Sequence, residues 1–267
     1  MPIVPEPAAP PADPRRDGWE RAMMAVHGVT DIGLRRTQNE DHFAYWPPEA
    51  AARERDGVLI AVADGMGGAL AGEVASRLAV DAALGVWRSA NGEAPTSALR
   101  RAVEAANLAV HEESLARPDR HGMGTTLTLV ACRGGRAWVA HVGDSRAYLV
   151  RQGAIRQLTE DHSLVAQLVR EQQMTPEQAR VDHRRNVVTR SVGVGEHVDI
   201  DVLEVPEPLE RGDTLVVTTD GLHGLVEDDE IAGAVAHDEL APACDALVDL
   251  ARERGGYDNI TVVMARL

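Results

Sequence analysis

Two helical patterns follow one another in this chain with no strand between them. Over residues 71–88, Val74, Leu78 and Ala82 recur at four-residue spacing. Over 96–116, Leu99, Val103, Ala106 and Val110 share a face, and Arg117-Pro118 stops the run. Paired helices are unlike the strict strand–helix alternation of a parallel sheet. The remaining apolar runs are short. Residues 23–29 and 58–63 read as strands. So do 127–132 and 136–141 around Gly134-Gly135, and 147–151 and 154–158 around Gln152-Gly153, two good hairpin turns. Residues 161–171 read as helix, and Thr175-Pro176-Glu177-Gln178 opens another with a capping box. Strands are expected at 187–189, 197–205, 214–218 and 260–267, with a last helix over 241–254 closed by Gly255-Gly256. Hairpins plus paired helices predict an α+β layered sandwich, antiparallel sheets with helices stacked outside. Aromatic residues are 3% of the chain, so Ala, Val, Leu and Ile must build the core.

At 267 residues one undivided domain is possible. Six of the 14 prolines lie in the first 14 residues, so residues 1–20 are expected to form a disordered arm and 21–267 the domain. The charge sum is 27 − 42 = −15, and every basic residue is an arginine. An acidic chain repels nucleic acid and anionic lipid, so neither is an expected partner. The lack of lysine excludes a Walker A loop and a lysine nucleophile. Cys132 and Cys244 are far apart, and neither is followed six residues later by the arginine of a cysteine-based phosphatase loop. No apolar stretch approaches the roughly 18 residues of a membrane span, and no signal peptide is visible. The expected location is a reducing cytoplasm.

The acidic residues carry the chemistry. Asp64-Gly65 follows the apolar run 58–63, Asp220-Gly221 follows 214–219, and Asp258-Asn259 precedes Ile-Thr-Val-Val-Met. Asn39-Glu40-Asp41 follows the first strand after a short loop, and Asp144 sits between two strands in His-Val-Gly-Asp-Ser-Arg. One Asp-Gly is an ordinary turn or Asx cap. Five acidic segments at strand ends can converge at one sheet edge, where like charges repel and raise each other's pKa. Divalent Mg²⁺ or Mn²⁺, which takes carboxylate, carbonyl and water oxygens, relieves that conflict. Arg36 could hold a phosphate bidentately or be a solvated loop residue. His42, beside Asp41, reads as a packing residue. Asp199-Ile-Asp201-Val-Leu approaches a haloacid-dehalogenase motif, but Leu203 spoils it.

Taken together, the segments resemble the PP2C-like (PPM) family of metal-dependent protein Ser/Thr phosphatases, bacterial stand-alone type. The matching pieces are Gly33-Leu-Arg-Arg36-Thr-Gln-Asn39-Glu40-Asp41, Ala63-Asp64-Gly65-Met66-Gly67-Gly68, Gly122-Met-Gly-Thr125-Thr126, Val142-Gly-Asp144-Ser-Arg146, Thr219-Asp220-Gly221 and Asp258-Asn259. The resemblance implies a four-layer αββα sandwich, two antiparallel sheets flanked by helices, with two Mn²⁺ or Mg²⁺ ions at one end. By that analogy Asp64 bridges both ions, Asp220 and Asp258 complete one, and the Gly65 carbonyl binds the other. Glu40 and Asp41 act directly or through waters, and Asp144 helps hold a third ion. Arg36 grips the substrate phosphate, and residues 161–190 form a mobile flap. The implied reaction hydrolyses phosphoserine and phosphothreonine with metal-activated water and no covalent intermediate. The implied substrates are proteins phosphorylated by bacterial-type Ser/Thr kinases, and the enzyme is expected to be a monomer. A partner-recruiting pseudophosphatase and a hydrolase of small phosphate esters are the alternatives. Many eukaryotic relatives carry a histidine two residues after the bridging aspartate; Met66 stands there here.

Overall fold

The computed structural model describes residues 24–67, 71–90 and 92–267, apart from the side chains of residues 54 and 55. The expected arm at 1–20 and Gly68 of the Asp-Gly-Met-Gly-Gly run lie outside them. In chain order the strands are β1 (Ala25–Asp31), β2 (Asp41–Trp46), β3 (Val58–Met66), β4 (Gly124–Thr125), β5 (Leu127–Arg133), β6 (Arg136–Val142), β7 (Arg146–Arg151), β8 (Ala154–Gln157), β9 (Asp201–Glu204), β10 (Thr214–Thr218) and β11 (Ile260–Arg266). The helices are α1 (Ala50–Asp56), α2 (Ala71–Ser89), α3 (Pro95–Ala116), α4 (Leu164–Arg170), α5 (Pro176–Val181), α6 (Asp220–His223), α7 (Asp228–Val235) and α8 (Leu240–Glu253). None is long and apolar enough to cross a membrane among the described residues.

One sheet runs β1-β11-β10-β7-β8 and the other β2-β3-β5-β6-β9, with β4 continuing beside β3. Every pairing is antiparallel. Alternate residues of each strand therefore face opposite ways, and the apolar ones sort into three cores. Val58, Ile60 and Val62 of β3 meet Leu215, Val217 and Val263 between the sheets. Leu59, Ala61 and Ala63 of the same strand face α2 and α3, where Ala75, Ala79 and Ala83 pack with Ala102 and Ala106. On the far side Val216, Val262 and Met264 pack against Leu247 and Val248 of α8. The four-layer αββα sandwich expected from the resemblance is the observed architecture, and aliphatic residues supply nearly all of it.

Both expected hairpin turns form. Gly134 and Gly135 have φ of 56° and 71°, and Gln152 and Gly153 have 51° and 80°. These positive values are what a two-residue turn between right-twisted strands requires. The capping box at Thr175 also forms, with Thr175 and Gln178 each satisfying the other's backbone N–H.

Several expectations need correction. Residues 187–189 are not a strand: Val188 makes one isolated bridge to Ser163 and the chain turns away. The helix expected from 161 begins at Leu164, because Ser163 caps it by accepting from Ala166 N–H. The strand expected over 197–205 shortens to β9. Asp220-Gly221 opens the one-turn helix α6 instead of forming a plain turn. Strand β2 and helices α1 and α7 were not expected.

Leu129 is fully buried between β5 and the α2–α3 layer, whereas Leu108 on α3 is 48% exposed. Leu129→Ala should cost about 2–5 kcal/mol of stability through cavity formation. Leu108→Ala should stay within about 0.5 kcal/mol of wild type. Urea denaturation midpoints of the two variants check this.

Candidate metal centre

The strand ends carrying the acids all lie at one end of the sandwich. Asp41 opens β2 and pairs in register with Asp64 of β3. Thr218 ends β10 opposite Arg146, which opens β7. That register puts Asp220, Asp144 and Asp258 at the same edge. The links 32–40 and 143–145 cross from one sheet to the other there. Glu40 and Asp144 thus sit on crossings, and Asp64, Asp220 and Asp258 on strand ends.

A cleft of about 480 Å³ opens between them, lined by Glu40, Asp64, Asp144, Asp220 and Asp258 together with Arg36, Gly65, Met66 and Thr126. Asp41 lies buried beneath. The six acids and the Gly65 backbone assigned from the sequence are therefore brought together. Among the described residues no three acidic or histidine side chains already close around one point. The acids converge without forming a finished ligand shell.

Uncharged groups hold the acids in place. Thr219 and Thr261 hydroxyls both donate to Asp41 Oδ2, at 2.8 and 2.7 Å. Asp41 Oδ1 is buried and has no partner among the described residues. Asp64 N–H donates to Thr126 Oγ1 at 2.8 Å, while its carbonyl accepts from Thr126 N–H and the Thr125 hydroxyl. Asn259 ties the 32–40 link to β11. Its amide nitrogen donates to the Ile32 and Gln38 carbonyls, and its oxygen accepts from Glu40 N–H at 2.8 Å. Backbones also approach closely. A Cβ on Gly65 would lie 2.0 Å from the Gly72 carbonyl, and one on Gly72 would lie 2.6 Å from Glu40 Oε1.

This arrangement is electrostatically costly. Burial, then repulsion by Asp41, Asp220, Asp144 and Asp258, lifts Asp64 well above the usual carboxylate range. Burial raises Asp41 to about 7 against the pull of its two threonines. Asp220 rises to about 6 through burial and the Asp258 charge. Asp144 is also raised, by burial and by Asp220 and Asp161. Burial raises Glu40 too, with Arg36 opposing. Unpaired buried carboxylates of this kind persist where another cation compensates them.

Arg36 stands at the mouth, 46% exposed, and donates through Nη2 to Asp258 Oδ2 at 2.7 Å. It is neither a free loop residue nor buried in the floor. His42 takes the packing position expected of it. It points toward Arg77 and Asp81 of α2, away from the cleft, and burial lowers its pKa. Both thiols are buried and pushed up to about 12 by desolvation, which removes them as nucleophiles.

Sequence reasoning missed the anchors. Thr219, Thr261 and Thr126 carry no chemistry of their own, and although all three stood inside quoted segments none was singled out. Asn186 and Val188, which bring residues 161–190 to the cleft wall, were not singled out as cleft residues.

Known proteins resemble this chain in sequence and fold. A family model described as Protein phosphatase 2C matches residues 35–262. The Mycobacterium tuberculosis serine/threonine protein phosphatase PstP is 39% identical over 236 residues, 88% of this chain and 43% of its own length. The chain thus spans less than half of that relative. The Streptococcus pneumoniae protein phosphatase PhpP is 35% identical over 248 residues, covering 91% of this chain and 98% of its own. A crystal structure of the PstP catalytic domain with two manganese ions superimposes with a TM-score of 0.78 at 35% identity, covering 91% and 98% of the two chains. A match running from Arg35 into β11, and so taking in all six acids, makes this chain a member of the protein phosphatase 2C family.

Proposed function

We propose that this chain is a Mn²⁺- or Mg²⁺-dependent phosphatase that hydrolyses phosphoserine and phosphothreonine in proteins. The observation that carries the reading is a cleft lined by five carboxylates above a sixth, buried one that has an oxygen with no partner among the described residues. The donor set is oxygen throughout, which suits hard divalent cations. In this reading Asp64, Asp220, Asp258, Glu40 and the Gly65 carbonyl would hold the core cations. Asp41 would act from beneath, directly or through water, and Asp144 would help hold a further cation. Divalent cations bound there would neutralise charge on phosphoryl oxygens and acidify water near neutral pH.

The chain's own residues do the rest. Arg36 grips the substrate phosphate at the cleft mouth, where its fork can turn from Asp258 to the incoming oxygens. Met66 and Thr126 line the floor and bring no ionisable proton. A histidine near the acids, His223, lines a larger space that opens beside this cleft and shares Arg36, Asp144, Asp220 and Asp258 with it. Residues 161–190 serve as the flap, with Asn186 and Val188 against the cleft. The substrates in this reading are products of bacterial-type Ser/Thr kinases in the cytoplasm, and the enzyme works as a monomer. PstP and PhpP, both named as phosphatases, support the substrate class.

Asp64→Asn and Asp220→Asn should each lower kcat on a phosphothreonine peptide by more than about tenfold, or 1.4 kcal/mol of barrier. More than a tenth of wild-type kcat in either variant would refute the assignment. In metal-free protein the same changes should raise Tm, because each removes a buried charge. Linkage sets the pH dependence of that gain. The folded pKa of Asp220, about 6, lies above its ordinary value of 3.8. Its ionisation therefore destabilises the fold at pH 7 and stops doing so as pH falls toward 4. The Tm advantage of Asp220→Asn should shrink between pH 7 and 5 in melts run with chelator.

For Arg36→Ala, KM should rise several-fold while Mn²⁺ affinity changes little. Arg36→Lys should rescue poorly, since a point charge cannot replace a fork. Steady-state kinetics over a range of Mn²⁺ concentrations checks both.

A further inference from the structure

Several chain segments meet at His162. Its backbone N–H donates to the Gly143 carbonyl and its carbonyl accepts from Thr189 N–H, each at 2.7 Å. Its ring Nδ1 accepts from Gly143 N–H at 3.0 Å. Because Gly143 N–H is a donor, the ring hydrogen must sit on Nε2, 3.0 Å from Asp201 Oδ2 at the start of β9. The other Asp201 oxygen accepts from Arg190 Nη1 at 3.1 Å. One buried imidazole therefore joins the peptide before Asp144 to β9, at the place where both ends of the 161–190 segment come together.

Asp144 is also held from its other side. His223 of α6 donates through Nε2 to the Asp144 carbonyl at 3.0 Å. Next along the chain, the Ser145 hydroxyl lies 2.8 Å from Thr126 Oγ1. Such clamps are needed because Asp144 is buried close to Asp220 and Asp161, whose charges repel it. Gly143 cannot carry the restraint itself. Its φ is 116°, and a Cβ there would lie 2.5 Å from Thr126 Cγ2.

We infer that His162 is a positioning residue with two separable arms, one that sets the Asp144 carboxylate in the acidic cleft through Gly143 and one that holds the 161–190 segment in place through Asp201. The inference rests on the reading of Asp144 as a cation-facing carboxylate. The two arms of the ring can be separated. Asparagine places an oxygen near Nδ1, so His162→Asn keeps the Gly143 bond and loses Asp201. Glutamine places a nitrogen near Nε2, so His162→Gln keeps Asp201 and loses Gly143.

The test is a calorimetric Mn²⁺ titration of the full chain, with melts and limited proteolysis of the same samples. The proteins are wild type, Asp144→Asn, His162→Asn, His162→Gln and Asp201→Asn. His162→Gln should weaken the Asp144-dependent Mn²⁺ step about tenfold, as outer-shell changes do, while His162→Asn stays near wild type. His162→Asn and Asp201→Asn should both speed cleavage within 164–187 at similar Tm. Equal losses of Mn²⁺ affinity in the Asn and Gln variants, tracking their Tm, would reduce His162 to a packing residue and overturn the inference. Unchanged cleavage in both His162→Asn and Asp201→Asn would overturn the link to the segment. Unchanged Mn²⁺ binding in Asp144→Asn would overturn the underlying reading of Asp144, and the inference with it, a failure visible without any His162 variant.

Discussion

Repulsion among carboxylates at one end of two stacked sheets is the constraint that the remaining structure answers. Hydroxyls and amides, not arginines, hold Asp41 and Asp64 in place. A cation bonded into the floor would quiet the repulsion and also remove the site's capacity for a metal. Arg36 stands at the mouth instead, paired with one acid and exposed enough to change partners. The raised pKa values of Asp41, Asp64, Asp144 and Asp220 record how much electrostatic tension the fold sustains.

The sandwich can bear this because its interior is assembled from regular, small pieces. Alternation along β3 sends Leu59, Ala61 and Ala63 to one core and Val58, Ile60 and Val62 to another. Alanines on α2 and α3 allow that helix pair to pack tightly. The same economy of size continues at the site, where Gly65 and Gly72 meet so closely that a Cβ on either would collide. Glu40 reaches the N-terminus of α2 through that gap. Packing and chemistry therefore draw on one property, the absence of side chains at Gly65 near the end of β3 and Gly72 at the start of α2.

The acids were legible because each adjoins an apolar run, a local signal that needs no knowledge of the fold. The hairpins were legible because Gly134-Gly135 and Gln152-Gly153 meet a backbone demand within two residues. The family resemblance supplied what spacing could not, namely which acid faces which ion. Strand β2 escaped notice because it is a half-buried edge strand opening on Asp41, whose alternation over six residues is weak. Residues 187–189 misled in the opposite sense, since Val-Val-Thr has strand propensity but finds only one bridge. The threonine anchors left no trace because their partners are 178 and 220 residues away. His162 and His223 were invisible for the same reason, each meeting its backbone partner only in three dimensions.

That separation also has a meaning in time. Asp41 is made early in synthesis, and Thr261, which completes its hydrogen bonding, follows 220 residues later. At translation rates of about 5–20 residues per second, the interval is roughly 10 to 40 seconds. Throughout it Asp258, Asn259 and β11 do not yet exist, so β1 lacks its strand partner and Glu40 lacks its backbone restraint. A chain that stops short of Asp258 thus lacks two of the residues that frame the cleft, Asp258 and Asn259. The acidic end of the sandwich is assembled only when β11 lies between β1 and β10, which makes the cleft a product of long-range pairing and not of any local segment.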